Sequence, residues 1–323
     1  MTAWKETVGG RRALTILRSR PFLTVAIVAG VWIAASFASR GFGAYGHLRY
    51  LVELAAVIGL VAAGQTFVVI AGGIDLSVAA IVTVSAVSLP LLSWQADPTG
   101  LTAVLAVLAL TTTIGLVNGL GVALLRVHPM IMTLAMATFL QGLLIIIAGG
   151  SAVTAENPLV RWLGNARPAG IPAGVLLWLA VSVIVLTAMH ATSFGARLFA
   201  MGANPLAAGL SGVPVASTTL AVYGISGFTS GLAGVLVLGM NGQGYVGIGD
   251  PYLLASIAAV VLGGTSILGG LGTYAGTIPG AILLVTITAL ITVVNASPGW
   301  RSILFGSLIL GLLLLSGREQ ARR

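Results

Sequence analysis

The sequence predicts an all-α polytopic membrane protein with about ten transmembrane helices, some of them broken or interrupted by glycine. Three observations carry this reading. Hydrophobic residues make up 58 % of the 323-residue chain. Charged residues make up only 7 %, where soluble domains carry roughly 25 %. Long apolar runs recur along the whole chain, with 44 glycines spread among them, a frequency that membrane helices tolerate. The weak alternation of a β-barrel is absent.

At about 20 apolar residues per crossing, spans fall near 21–39, 50–71, 76–93, 101–125, 130–148, 171–190, 217–238, 252–270, 276–295 and 301–316. A glycine-rich stretch at 263–276 interrupts the eighth and ninth. The chain reads as one transmembrane domain, 1–323, with a cytoplasmic segment at 1–20 and a cytoplasmic loop at 191–216. The apolar run that follows Lys5, Arg11, Arg12, Arg18 and Arg20 exceeds a signal-peptide core of about 7–15 residues. It reads as an uncleaved first span.

An even count puts both termini on one side. With the termini in the cytoplasm, the inside holds those five basic residues together with Arg126, Arg197, Arg318, Arg322 and Arg323. The outside holds Arg40, Arg49, Arg161, Arg167 and Arg301. Ten against five favours this orientation. The net charge of +8 is therefore a topology signal and not a nucleic-acid-binding face. The longest outside connection, 149–170, contains Glu156, Asn157, Pro158, Arg161 and Arg167, and a connection of that length has a job or is disordered.

Several classes of chemistry are excluded. The absence of cysteine rules out disulfides and thiolate metal sites. His47, His128 and His190 are far apart and lack metal-protease spacing, so no metal site is expected. Lys5 is the single lysine. A Walker A loop needs a lysine within G-x-x-x-x-G-K-[ST], so the chain does not hydrolyse ATP by that route. No nucleophile with a base and no cluster of histidines and carboxylates suggests an intramembrane enzyme. No catalytic residue is assigned. Function must lie in moving a solute or in holding partners.

Asp75 is the only charge between Glu53 and Asp97. At a helix centre an acid costs about 2.5–3.5 kcal/mol on insertion scales, so it belongs at a helix break, an interface or a polar path. It lies in the string Ala71-Gly72-Gly73-Ile74-Asp75-Leu76-Ser77. Its carboxylate can cap the helix that begins near Leu76, or it can act in gating or contact substrate. Gly263-Gly264-Thr265-Ser266 follows another apolar run 191 residues later. Paired glycine-interrupted segments point to an inverted-repeat transporter and its midplane path. Gly72, Gly73, Asp75, Ser77, Asn118, Gly263, Gly264 and Ser266 are the candidate path and break residues.

The other polar residues read as structural first. Glu53 has Arg49 four residues away on one helical face. Asp250, with Pro251 behind it, reads as an N-cap and secondly as a contact for an external protein. Gln65, Thr66, Asn118, Gln141 and Asn295 lie inside spans and read as interhelical glue.

The cytoplasmic loop has an internal plan. Asn204 and Pro205 signal a helix start, and Ser211, Gly212 and Pro214 signal its end. The result is a helix of about two turns, whose Ala207 and Ala208 let another backbone approach. The string 192–212 resembles the coupling loop of ribose-type ABC sugar permeases, patterned T-x-x-G, A-x-G-x-N and A-A-x-x-S-G. Thr192, Gly195, Ala200, Gly202, Asn204, Ala207, Ala208, Ser211 and Gly212 match it. The string around Asp75 is similar to the same family's G-G-I-D-L-S element. Asn118-Gly119 with Arg126 and 129–133 resembles its N-G-x-x-x-x-x-x-R-x-x-P-F-I-x-T-L segment. Residues 263–270 resemble its late G-G-x-S-x-x-G-G element. Ala203 stands where a second glycine is usual, Gly209 where a basic residue is usual, and 128–130 reads His-Pro-Met.

The resemblance covers the chain from about residue 50 onward. It implies a type II-like ABC importer permease in a bacterial inner membrane. Two permease copies, identical or sister chains, would line the path. Two cytoplasmic ATPase subunits would hold ATP and Mg, so this chain needs no cofactor. An external binding protein would deliver a monosaccharide. Gly195, Arg197, Gly202, Asn204, Pro205, Ala207, Ala208, Ser211 and Gly212 would couple to the ATPase. Branched-chain amino acids, or another small polar solute, are the alternative cargo. An ion-driven secondary transporter is a further alternative, disfavoured by the scarcity of paired intramembrane acids and bases.

Overall fold

A computed structural model describes residues 20–38, 41–92, 97, 99–149, 151–293, 297 and 299–320. Lys5, Arg11, Arg12, Arg18, Arg40, Asn295, Arg322 and Arg323 lie outside the described residues.

Every apolar segment expected to span coincides with a helix. In chain order these are α1 (Arg20–Ala38), α2 (Tyr45–Ile70), α3 (Val78–Leu92), α4 (Leu101–Ala123), α5 (Pro129–Ala148), α6 (Pro158–Asn165) and α7 (Ala173–His190). Then come α8 (Ser193–Ala203), α9 (Pro205–Leu210), α10 (Val215–Asn241), α11 (Pro251–Leu262), α12 (Tyr274–Val293) and α13 (Gly299–Gln320). By length and composition, α2, α4, α5, α7, α10 and α12 can each cross a membrane. The protein is a polytopic helical membrane protein.

Two expected spans are shorter than expected. Instead of 76–93, α3 has 15 residues, or about 22 Å at 1.5 Å per residue. Instead of 252–270, α11 has 12 residues, or about 18 Å. Both fall short of the roughly 30 Å hydrocarbon core. The cause is local: a glycine with positive φ lies between α2 and α3, at Gly72, and just after α11, at Gly264.

The buried centre is α2 and α10. In the most apolar stretch of α2, 89 % of residues are buried, against 17 % in α5. Close approach of α4 to α10 depends on small residues. A Cβ on Gly115 would stand 2.2 Å from the Tyr223 carbonyl, and one on Gly227 2.3 Å from that of Thr111. A tyrosine bridges the core: the Tyr274 hydroxyl donates to the Gly59 carbonyl and accepts from Trp178 Nε1.

Residues 151–170, between α5 and α7, are tied into the fold. Val153–Thr154 (β1) pairs antiparallel with Gln243–Gly244 (β2), the one ribbon in an otherwise helical set of described residues. Asn157 caps α6 by accepting from Val160 N–H at 3.1 Å, and its amide donates to the Gly100 carbonyl at 2.9 Å. The loop also supplies the partner of Glu53, which is Arg167 at 4.0 Å and not Arg49. Helical side chains lean toward the N-terminus, so an arginine placed before its acid leans away from it. Nearby, Asp97 caps the start of α4. It accepts from the Thr102 hydroxyl and N–H and from Thr99, which holds its carboxyl well below the usual range.

Candidate coupling and translocation site

The first break arises from one backbone requirement. After Ile70, Ala71 remains right-handed and Gly72 takes φ +84°. Gly72 N–H donates to the Val69 carbonyl at 3.0 Å and Gly73 N–H to that of Val68 at 2.9 Å. This is a glycine-terminated helix end. The chain then runs extended past α5, where Leu76 N–H donates to Thr133 Oγ1 at 3.0 Å.

Asp75 is fully buried. One carboxylate oxygen accepts from Ser77 N–H at 2.9 Å and from the Ser77 hydroxyl at 2.6 Å. The other accepts from the Ser226 hydroxyl of α10 at 2.7 Å. Asn118 of α4 donates its amide to Ser77 Oγ at 2.8 Å. Asp75 and Ser77, neighbours in the sequence, therefore form one cluster with Asn118, which lies 41 residues beyond Ser77. Ser226 is not found from the sequence, because a lone serine in an apolar span carries no signal of its own. Thr133 lies inside a matched segment and could have been found there.

The second break repeats the first turn. Gly263 is right-handed (φ −66°, ψ −5°), like Ala71 (φ −69°, ψ −3°), and Gly264 has φ +89°. Gly264 N–H donates to Val261 at 2.9 Å and Thr265 N–H to Val260 at 3.2 Å. Gly72 thus corresponds to Gly264, so the sequence pairing of Gly72 with Gly263 is one residue out of register. The two remaining glycines serve packing: a Cβ on Gly73 would crowd the Tyr223 hydroxyl, and one on Gly263 the backbone of Gly276. Beyond the turn, half-buried Ser266 donates its N–H to the Leu271 carbonyl at 2.8 Å.

The connection from α7 to α10 holds two helices. Thr192 caps α8, accepting from Gly195 N–H at 3.4 Å. Asn204 caps α9, accepting from Ala207 N–H at 3.0 Å, with Pro205 in the first turn. Gly212, at φ +84°, follows the end of α9. The α8 helix is not among the expected elements, although its threonine cap is readable. Arg197, Asn204, Pro205, Ala207, Ser211 and Gly212 are exposed, and Gly195 is buried against the Met189 carbonyl. Ala208 turns inward and is only 5 % exposed, so it packs on its own chain and is not an outward contact. Leu206 and Leu210, which carry no signal in the sequence, are 76 % and 84 % exposed.

These three elements meet at one junction. Gly270 N–H donates to the Ile70 carbonyl at 2.8 Å. That carbonyl belongs to the last turn of α2, where intrahelical donors run out. Gly202 lies against both groups: a Cβ there would be 1.8 Å from the Ile70 oxygen and 2.7 Å from Gly270 nitrogen. A Cβ on Gly269 would be 2.8 Å from the Gly202 oxygen and 3.0 Å from Gly72 Cα, and one on Gly270 2.8 Å from Ala203 Cα. Main chain touches main chain, so no flexible side chain absorbs a displacement.

The remaining polar residues divide. Thr66 of α2 meets Thr277 of α12 at 3.2 Å. Gln65 is fully buried with neither end of its amide partnered among the described residues. Gln141 is exposed on α5. Asp250 precedes α11 but makes no side-chain capping bond, which corrects its reading as an N-cap: its own backbone is already helical.

Residues 48–313 match the family described as branched-chain amino acid transport system / permease component. The ribose import permease protein of Escherichia coli K12 is 31 % identical, covering 98 % of this chain and 99 % of its own length. The L-arabinose transport system permease protein of the same organism is 31 % identical, covering 91 % and 89 %. The galactose/methyl galactoside import permease protein of Haemophilus influenzae is 34 % identical, covering 68 % of each. The ordered motifs, the paired helix breaks and this near full-length similarity agree, and the chain belongs to the branched-chain amino acid transport system / permease component family.

Proposed function

We propose that this chain is the membrane-spanning subunit of a monosaccharide ABC importer, crossing a bacterial inner membrane ten times as one domain with both termini cytoplasmic. The count includes the short α3 and α11. Relatives named for ribose, arabinose and galactose support the cargo class. Two such subunits, identical or sister chains, line the path. Partner ATPase subunits hold ATP and Mg, and an external binding protein delivers the sugar.

The observation that carries the reading is the junction of 202–203 with 70–72 and 269–270. The exposed leucines of α9 offer an apolar knob to an ATPase groove. Movement of α9 passes through Gly202 to the ends of α2 and α11 together, so the two broken segments shift as a pair. This makes alternating access a consequence of backbone contact.

The test is uptake by the reconstituted transporter in lipid vesicles. Ala207→Glu, or Leu206→Ser with Leu210→Ser, should abolish sugar uptake while ATP hydrolysis continues. Ala208→Glu should instead fail to assemble, because that side chain is buried. Full uptake with α9 disrupted would overturn the coupling role. The family description favours a second cargo, and leucine uptake by the same vesicles in place of sugar would establish it.

A further inference from the structure

We infer that a cleft between α3, α5 and α11 is a binding station for the sugar in transit, with Asp250 and Gln141 as its specificity-determining residues; this rests on the proposed importer function. The cleft has a volume of about 290 Å³ and is lined by Leu76, Ala80, Thr138, Gln141, Asp250 and Leu253, among others. That is near the lower end of the roughly 300–1,000 Å³ range of ligand sites, suited to a small solute.

Its depth is set by backbone contacts. Between β2 and α11 the chain travels back along α3. A Cβ on Gly244 would be 2.3 Å from the Ala86 carbonyl, and one on Gly249 2.0 Å from that of Ala79. Gly249 N–H also donates to Thr83 Oγ1 at 3.1 Å. Asp250 is therefore carried to the level at which α3 begins. That level is fixed in turn by the bond from Asp75 to Ser226, near the middle of α10. Thr138 and Gln141 lie in the middle of α5. The polar groups of the cleft thus stand near the bilayer midplane, where transporter sites are built from interrupted helices.

The chemistry suits a sugar. Asp250 has no ion-pair partner and no side-chain hydrogen bond among the described residues, and neither has the Gln141 amide. A free carboxylate can accept from two neighbouring hydroxyls, and an amide both donates and accepts. Leu76 and Leu253 offer apolar surface to the C–H face of a pyranose or furanose ring. All three polar side chains, Thr138 included, are exposed on the isolated chain. Lipid tails cannot hydrogen-bond them, and intramembrane acids mark substrate paths.

The experiment uses the complete transporter, with its ATPase subunits and binding protein, in lipid vesicles. Uptake is measured for pentoses and hexoses including D-ribose, L-arabinose and D-galactose. Asp250→Asn should lower uptake per ATP hydrolysed by roughly tenfold, the effect of losing hydrogen bonds to a charged group. Gln141→Leu should change the ranking among sugars while the complex assembles at the parental level. Thr138→Val is the milder companion, and it too should alter the ranking. Parental rates and ranking in all three variants overturn the station. So do equal losses for every sugar that accompany lost assembly. A parent that carries none of the sugars overturns the importer reading itself, whereas a parent that carries one, matched by its variants, overturns the station alone.

Discussion

At the end of α2 the chain turns through Ala71 and Gly72, and at the end of α11 it turns through Gly263 and Gly264, with matching φ, ψ and hydrogen bonds. The segments beyond the two turns differ. After the first, Asp75, Ser77 and Thr133 tie the extended segment to α4, α5 and α10 through side chains. After the second, Ile267 stands where Asp75 stands in the first. That loop is held mainly through main-chain bonds, at Ser266, Gly269 and Gly270, with one side-chain bond between Thr273 Oγ1 and His190 Nε2 of α7 at 3.1 Å. Thr265 Oγ1 is buried there without a partner among the described residues. The first segment is fastened to three helices through side chains, while the second is held mostly through its main chain. Shared geometry therefore does not mean shared fastening: the junction joins a segment tied by side chains to three helices and one held mostly through its main chain.

The largest effect should come from the contact that joins the two. Gly202→Val would drive a side chain into the Ile70 carbonyl and Gly270 N–H, and sugar uptake in vesicles should disappear. Retained uptake would show that the breaks do not move through that contact. Next is the fastened side. Asp75→Ala leaves the Ser77 and Ser226 donors without their acceptor, at a cost of about 1–3 kcal/mol for each buried group left unpaired. The thermal midpoint and uptake should fall together. Asp75→Asn keeps an acceptor for Ser77 and should retain at least half the uptake. A collapse of uptake in a stable Asn variant would assign the charge itself a role in gating.

The smallest effect belongs to the second break. Thr265→Val removes a buried hydroxyl that makes no bond among the described residues and keeps the shape, so stability should not fall and should rise by about 1 kcal/mol, the low end of the cost of a buried group left unpaired. Thermal unfolding beside the Asp75 variants makes the contrast direct. A large loss in Thr265→Val would mean that the second break is fastened after all.

Much of this is legible in the sequence because it rests on local rules. Asn204 with Pro205 places the start of α9, since cap and proline act within one turn. The glycine pairs mark where helices must stop. Their register is not legible, because only one glycine of each pair needs positive φ and the other is small for packing. Nothing local distinguishes them. The same limit hides Ser226, the inward face of Ala208 and the partner of Glu53.

Composition alone decided that the chain lives in a membrane, and its single lysine, Lys5, leaves it no Walker A sequence. Apolar run length and punctuation placed the helices, because hydrophobic length and backbone capping are properties of short segments. Tertiary structure alone decided which carbonyl faces which amide. It brought Gly202 onto Ile70 and Gly270, lowered Asp250 beside Gln141, and matched Gly72 to Gly264, since such contacts depend on how distant helices pack and leave no trace in spacing along the chain.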